Sequence, residues 1–169
     1  MMNDFWNDKA RLDAFWDDSD YFTGPRLTDA AIREAEKRLG YKLPEAYLRL
    51  LRVRNGGSPR SPYFHVEGLA GWDTGYFQVD SLRGIGHEDW SIDTNDMGDN
   101  YPDIGLRICD TPSGGHDAVM LDYSQCGPKG EPRVVHAEQG CDASEVTVLA
   151  PDFAAFVAAL SDRPPERAE

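Results

Sequence analysis

Positive charge is scarce in this chain. It carries 17 Lys and Arg against 30 Asp and Glu, a formal net charge of −13 and a pI near 4.6. Such a surface repels a phosphate backbone, which argues against direct nucleic-acid binding. No apolar run approaches the ~20 residues that span a bilayer, so no membrane contact is expected. The opening MMNDFWNDKARLD has no basic-then-apolar signal pattern, and a cytoplasmic location follows as the expectation. Cysteine is sparse too. Cys109, Cys126 and Cys141 are odd in number and widely spaced, which is not a disulfide framework and agrees with a reducing compartment. Catalytic fingerprints are also missing. There is no G-x-S-x-G elbow and no Walker-type loop, and Gly84-Ile85-Gly86 lacks the rest of a dinucleotide fingerprint.

What is present argues for a folded domain. At 169 residues, 40% apolar and 11% aromatic, the chain can bury one proper core. Residues 27–57 read as two punctuated helices. Thr28 can cap the first and Asp29 suits its positive end. Ile32, Ala35 and Leu39 make its apolar stripe, and Gly40 can take the left-handed conformation that ends it. Pro44 fits the first turn of the second helix. Tyr47, Leu48 and Leu51 are its stripe, and Asn55-Gly56-Gly57 its stop.

Elsewhere the pattern is mixed. Residues 1–18 read as a lead helix in which Phe5, Leu12, Phe15 and Trp16 recur at roughly helical spacing. Its aromatics either dock on the domain or grip a partner. Residues 63–66 and 76–79 look like strands, with Pro59 and Pro62 making the approach irregular. Residues 104–110, 117–123 and 133–138 read as three more. Turns at 112–115 and 127–130 separate them, and 146–149 is a short strand or extended segment. Pro151 and Asp152 start a closing helix that Pro164 and Pro165 end, with a frayed tail beyond. Helices first, strands in the middle and a helix last imply an α+β fold. The expected architecture is an antiparallel β-sheet with an N-terminal helical segment and a C-terminal helix packed on it.

The segment 86–103 stands apart. It holds Glu88, Asp89, Asp93, Asp96, Asp99 and Asp103 with no Lys or Arg, and reads as a long acidic loop with a short helical turn near Trp90. With Trp90 and Tyr101 as anchors it is the candidate partner-binding surface; a solvated loop without a partner explains the same residues.

Catalytic and metal chemistry compete poorly. Cys126, His136 and Cys141 are ligand types without the tight pairs that zinc sites favour. Asp93-Thr94-Asn95-Asp96-Met97-Gly98 resembles a calcium loop, but ligand positions fall on Met97 and Ile104, so the template fails. Ser113-Gly114-Gly115-His116-Asp117 places three triad residue types in one turn, where triad geometry is rare. Glu36 lies beside its helix's apolar stripe, in a place that suits a backbone amide or an Arg partner. No catalytic residue, metal or cofactor is expected.

The motif set resembles the Smi/Knr-type domain of the SUKH superfamily. The family's pattern is met by Leu27-Thr28, Glu36, Leu39-Gly40, Leu43-Pro44, Tyr47 and Asn55-Gly56-Gly57. Residues 104–123 resemble its central hairpin, and Phe153, Phe156, Val157 and Leu160 its closing stripe. The resemblance covers roughly residues 27–160, and the expected organisation is a single domain over 27–162, preceded by a helix and loop over 1–26 and followed by a tail over 163–169. It implies the same α+β, SUKH-like architecture. It further implies a non-catalytic protein-binding domain, a bacterial immunity protein that neutralises a polymorphic toxin, often a nuclease. The partner would then be a basic toxin domain. The alternative is an intracellular regulatory or scaffolding domain that binds an endogenous protein.

Overall fold

The structure is a computed structural model, and it describes residues 4–69, 71, 72, 74–86, 89–92, 100–164 and 166. The lead segment is not one helix. A single 3-10 turn, Asp4–Asn7, is followed by helix α1, Lys9–Phe15. Asp8 makes the break: its carboxylate accepts from the amides of Ala10 and Arg11, at 2.9 and 3.3 Å, and so begins a new helix. The aromatics of this segment are docked on the domain. Trp6, Leu12 and Trp16 are buried in the main core, and Trp6 lies 6.5 Å from Phe153 between ring centres.

Helices α2 (Asp29–Leu39) and α3 (Glu45–Val53) follow the punctuation read from the sequence. Thr28 Oγ1 accepts from the Ala31 amide, and Gly40 closes α2 at φ 81°. Pro44 stands one residue before α3, as its N-terminal cap. Tyr47, Leu48, Leu50 and Leu51 are buried beneath it.

Strands β1 (Tyr63–His65) and β2 (Tyr76–Gln78) form their own two-stranded sheet. The larger sheet is antiparallel, in the order β3 (Ser81–Leu82), β4 (Gly105–Asp110), β5 (Asp117–Asp122), β6 (Arg133–Glu138), β7 (Thr147–Ala150). Strand β3, too short for a periodic signal, was not legible in the sequence. Helix α4, Phe153–Ala159, closes the domain, with Asp152 accepting from the Ala155 amide.

Alternation divides the sheet into two apolar faces. Leu106, Val119, Leu121 and Val134 join the main core with Tyr47, Phe153 and Phe156. Ile104, Met120, Val135 and Ala137 form a second cluster, covered in part by Tyr101, Cys141 and Val146. A bulge in β4 breaks this alternation between Arg107 and Cys109. An odd spacing such as 107 to 110 would otherwise put the two side chains on opposite faces. The extra residue brings Arg107 and Asp110 to the same face, where they pair.

Candidate partner-binding surface

Three segments converge at the end of α3. Asn55 Nδ2 donates to the carbonyls of Pro25 and Ile85, both at 2.7 Å, and its Oδ1 accepts from the Ile85 amide at 2.8 Å. Gly56 sits at φ +95°. A Cβ there would lie 2.8 Å from the Phe22 carbonyl and 2.9 Å from the Gly84 amide. Gly84 is equally confined, since its Cβ would lie 2.4 Å from the Asn55 carbonyl. The backbones of 22–25, 55–56 and 84–85 therefore touch, and only glycine permits that approach. The Tyr47 hydroxyl adds a bond to the Arg83 carbonyl.

This junction carries three aromatic side chains to one place. Phe22 meets Trp90 edge to face with ring centres 5.0 Å apart. Tyr21 lies 4.8 Å from Phe22 and 6.3 Å from Trp90, and is 69% exposed. Phe22 and Trp90 are half-buried.

Beneath residues 84–86 and 89–92 runs a buried ionic network. Arg83, 1% exposed, gives Nε and Nη2 to the two oxygens of Asp110, at 2.8 and 3.1 Å, and Nη1 to the Ser91 carbonyl at 3.0 Å. Ser81 Oγ and the Arg107 guanidinium also donate to Asp110. The same guanidinium lies 5.2 Å over the Tyr101 ring, whose hydroxyl donates to the Gly115 carbonyl at 2.6 Å. Burial pushes that phenol up to about 12, against the pull of Arg107. The chain Ser91–Arg83–Asp110–Arg107–Tyr101 thus ties the start of the acidic segment to its end.

Of the residues expected to bind a partner, Asp89 and Asp103 are exposed and Trp90 and Tyr101 are half-buried. Trp90 is gathered with Tyr21 and Phe22, while Tyr101 belongs to the other side of the network. Glu88, Asp93, Asp96 and Asp99, and with them the calcium-like stretch 93–98, lie outside the described residues. Tyr21 and Phe22 were missed because they fall in the loop expected to end the 1–26 segment, where no periodicity singles out a side chain. Arg83 was missed because nothing in SLRGIG marks an arginine as buried.

Of the other candidate residues, His136, Asp117 and Ser113 are engaged in the fold. His136 Nε2 donates to Asp117 Oδ2 at 2.6 Å, and Trp72 Nε1 donates to the same oxygen at 2.6 Å. The Thr111 hydroxyl donates to Oδ1. Burial alone would raise the Asp117 carboxyl. The bonds from His136, Ser113, Thr111 and Trp72 outweigh it and hold the group well below the usual carboxylate range. Ser113 Oγ accepts from the Asp117 amide at 3.2 Å, and His116 is exposed at the turn. Cys126 is exposed and Cys141 half-buried. Among the described residues no three His, Cys, Asp or Glu side chains converge as a metal-ligand group. Glu36 lines a cleft of about 600 Å³ with Arg33, Lys42, Arg52 and Lys129.

Among the described residues no helix is long and apolar enough to cross a membrane. No curated protein and no solved structure matches the chain. A family model does match, over residues 26–159, from the approach to α2 through the last residue of α4. Its coverage takes in both helices of the pair, every strand of both sheets and the closing helix, and the chain belongs to the SMI1 / KNR4 family (SUKH-1).

Proposed function

We propose that this chain is a bacterial immunity protein of the cytoplasm that neutralises a polymorphic toxin by covering its active site. The observation that carries the reading is family membership across residues 26–159, which is compatible with an immunity-like, protein-binding domain. The charge supports the choice of partner. A nuclease needs a cationic cleft to hold its substrate, and a chain of net charge −13 can fill that cleft in place of phosphates. The reading involves no covalent step. The antidote acts by shape and negative potential, through an interface on the order of 1,600 Å². The contact surface is the 86–103 loop with the adjoining sheet edge at β3, where Glu88, Asp89, Asp93, Asp96, Asp99 and Asp103 steer and Trp90 and Tyr101 anchor.

The gene beside this one is then expected to encode a toxin with a basic catalytic domain. Expressing that domain in a host cell should arrest growth, and co-expressing this chain should restore it. Continued arrest, with both proteins present and soluble, overturns the reading.

A further inference from the structure

We propose that the anchor of the partner interface is the composite aromatic cluster Tyr21–Phe22–Trp90, and that it takes guanidinium groups of a basic protein surface. This rests on the immunity reading and moves the centre of contact away from the 86–103 segment alone. The cluster is assembled from residues about seventy positions apart. Its most prominent ring, Tyr21, is 69% exposed, the largest exposure of any big apolar side chain among the described residues. Phe22 and Trp90, half-buried beside it, extend the exposed ring into one aromatic patch, and such patches mark interaction sites. Tyrosine and tryptophan supply much contact area with few torsions to freeze, which is why they dominate binding hot spots.

Preorganisation is built in. Arg54 Nη1 donates to the carbonyls of Asp17 and Ser19, at 2.8 and 2.9 Å, on the near side of Tyr21. On its far side Thr23 Oγ1 bonds the Gly56 carbonyl at 3.0 Å, and the Gly24 amide the Asn55 carbonyl at 2.8 Å. Trp90 is fixed by its own carbonyl, which accepts from the Gly84 amide, and by its neighbour Ser91. These bonds hold the backbone that carries the rings, which lowers the ordering cost of binding.

Charge selects the occupant. Asp20 precedes Tyr21 and is exposed, while the neighbouring Asp18 already pairs with Arg60 at 3.0 Å. An exposed ring next to an aspartate in the chain, on a molecule of net charge −13, favours arginine, which can stack on an aromatic face and pair with an acid together. An acidic or purely apolar partner gains nothing from that flank.

The test uses the full chain, Tyr21→Ala and Tyr21→Phe, each titrated against the purified catalytic domain of the neighbouring toxin. Tyr21 is exposed, so both variants should melt with the parent. Tyr21→Ala is expected to weaken binding about thirtyfold, while Tyr21→Phe stays within about threefold because it keeps the ring. Parent-like affinity for Tyr21→Ala, with the parent chain binding tightly, overturns this inference and leaves the immunity reading standing. Failure of the parent chain to bind overturns both. A dimer of the parent chain alone that Tyr21→Ala dissolves assigns the cluster to self-association and also overturns the inference.

Discussion

Asn55 and Gly56 show how a short motif acts through geometry. The sequence marks Asn55-Gly56-Gly57 as a helix stop, and α3 does end at Val53, two residues earlier. The larger role is to fasten two loops that lie far apart along the chain. Asn55 is 3% exposed and makes three side-chain hydrogen bonds to backbone groups of other segments. Asn55→Ala is expected to cost on the order of 3 kcal/mol, because the Ile85 amide and two carbonyls lose their partner. A denaturant midpoint equal to that of the parent would contradict this. Gly56→Ala should cost about 2 kcal/mol or more, from the left-handed backbone and the crowding against Phe22 and Gly84 together. Its clearest mark would be loss of contact between Tyr21 and Trp90, read from nuclear Overhauser effects between their rings.

At the scale of elements, the acidic segment is held by a buried arginine. Arg83→Met leaves Asp110 with Arg107 and Ser81 and releases the Ser91 carbonyl. Breaking a buried pair of this kind costs about 3–5 kcal/mol. Hydrogen exchange at Ile92, whose amide bonds the Gly84 carbonyl, should accelerate before the central strands respond. Uniform acceleration would mean that the loop is not a separate unit. The helix pair, the central strands and the closing helix were legible from periodicity and punctuation, since each buries one stripe or one face. The break at Asp8 was not. Aromatic spacing ran on through it, and the decisive bond is a side chain's choice of backbone amides. Strand β3 and the β4 bulge were hidden for a related reason: their form is dictated by neighbours across the sheet. Of the candidate surface, Asp89, Trp90 and Asp103 could be picked from composition; the two aspartates are exposed and Trp90 is half-buried. The packing of Trp90 against Tyr21 and Phe22 could not, because it depends on the glycine contact between Gly56 and Gly84.

For the whole molecule, charge governs both stability and recognition. Asp117 and Asp122 are held below the usual carboxylate range. In each, burial acts upward and hydrogen bonds prevail, for Asp122 those with Ser124 and Arg133. A carboxyl depressed in the folded state stabilises above its unfolded pKa, and that contribution is lost as pH falls through the folded value. Asp80 and Glu131 are raised, first by burial and then by Asp110 and Asp152 respectively, so their charged forms oppose folding and acid relieves them. The melting temperature should therefore fall below about pH 4, and Asp117→Asn should blunt that fall. An acid limb unchanged in Asp117→Asn would mean that the Asp117 network contributes little. The same excess of negative charge should govern partner encounter. Neutralising Asp96, Asp99 and Asp103 together is expected to slow association and flatten its salt dependence. Unchanged kinetics would place the contact elsewhere. The most direct test is to titrate the purified neighbouring toxin domain with this chain while following the toxin's own catalytic activity. A linear fall to the baseline at equal molar amounts is the expected result; full activity in the presence of a molar excess would contradict it.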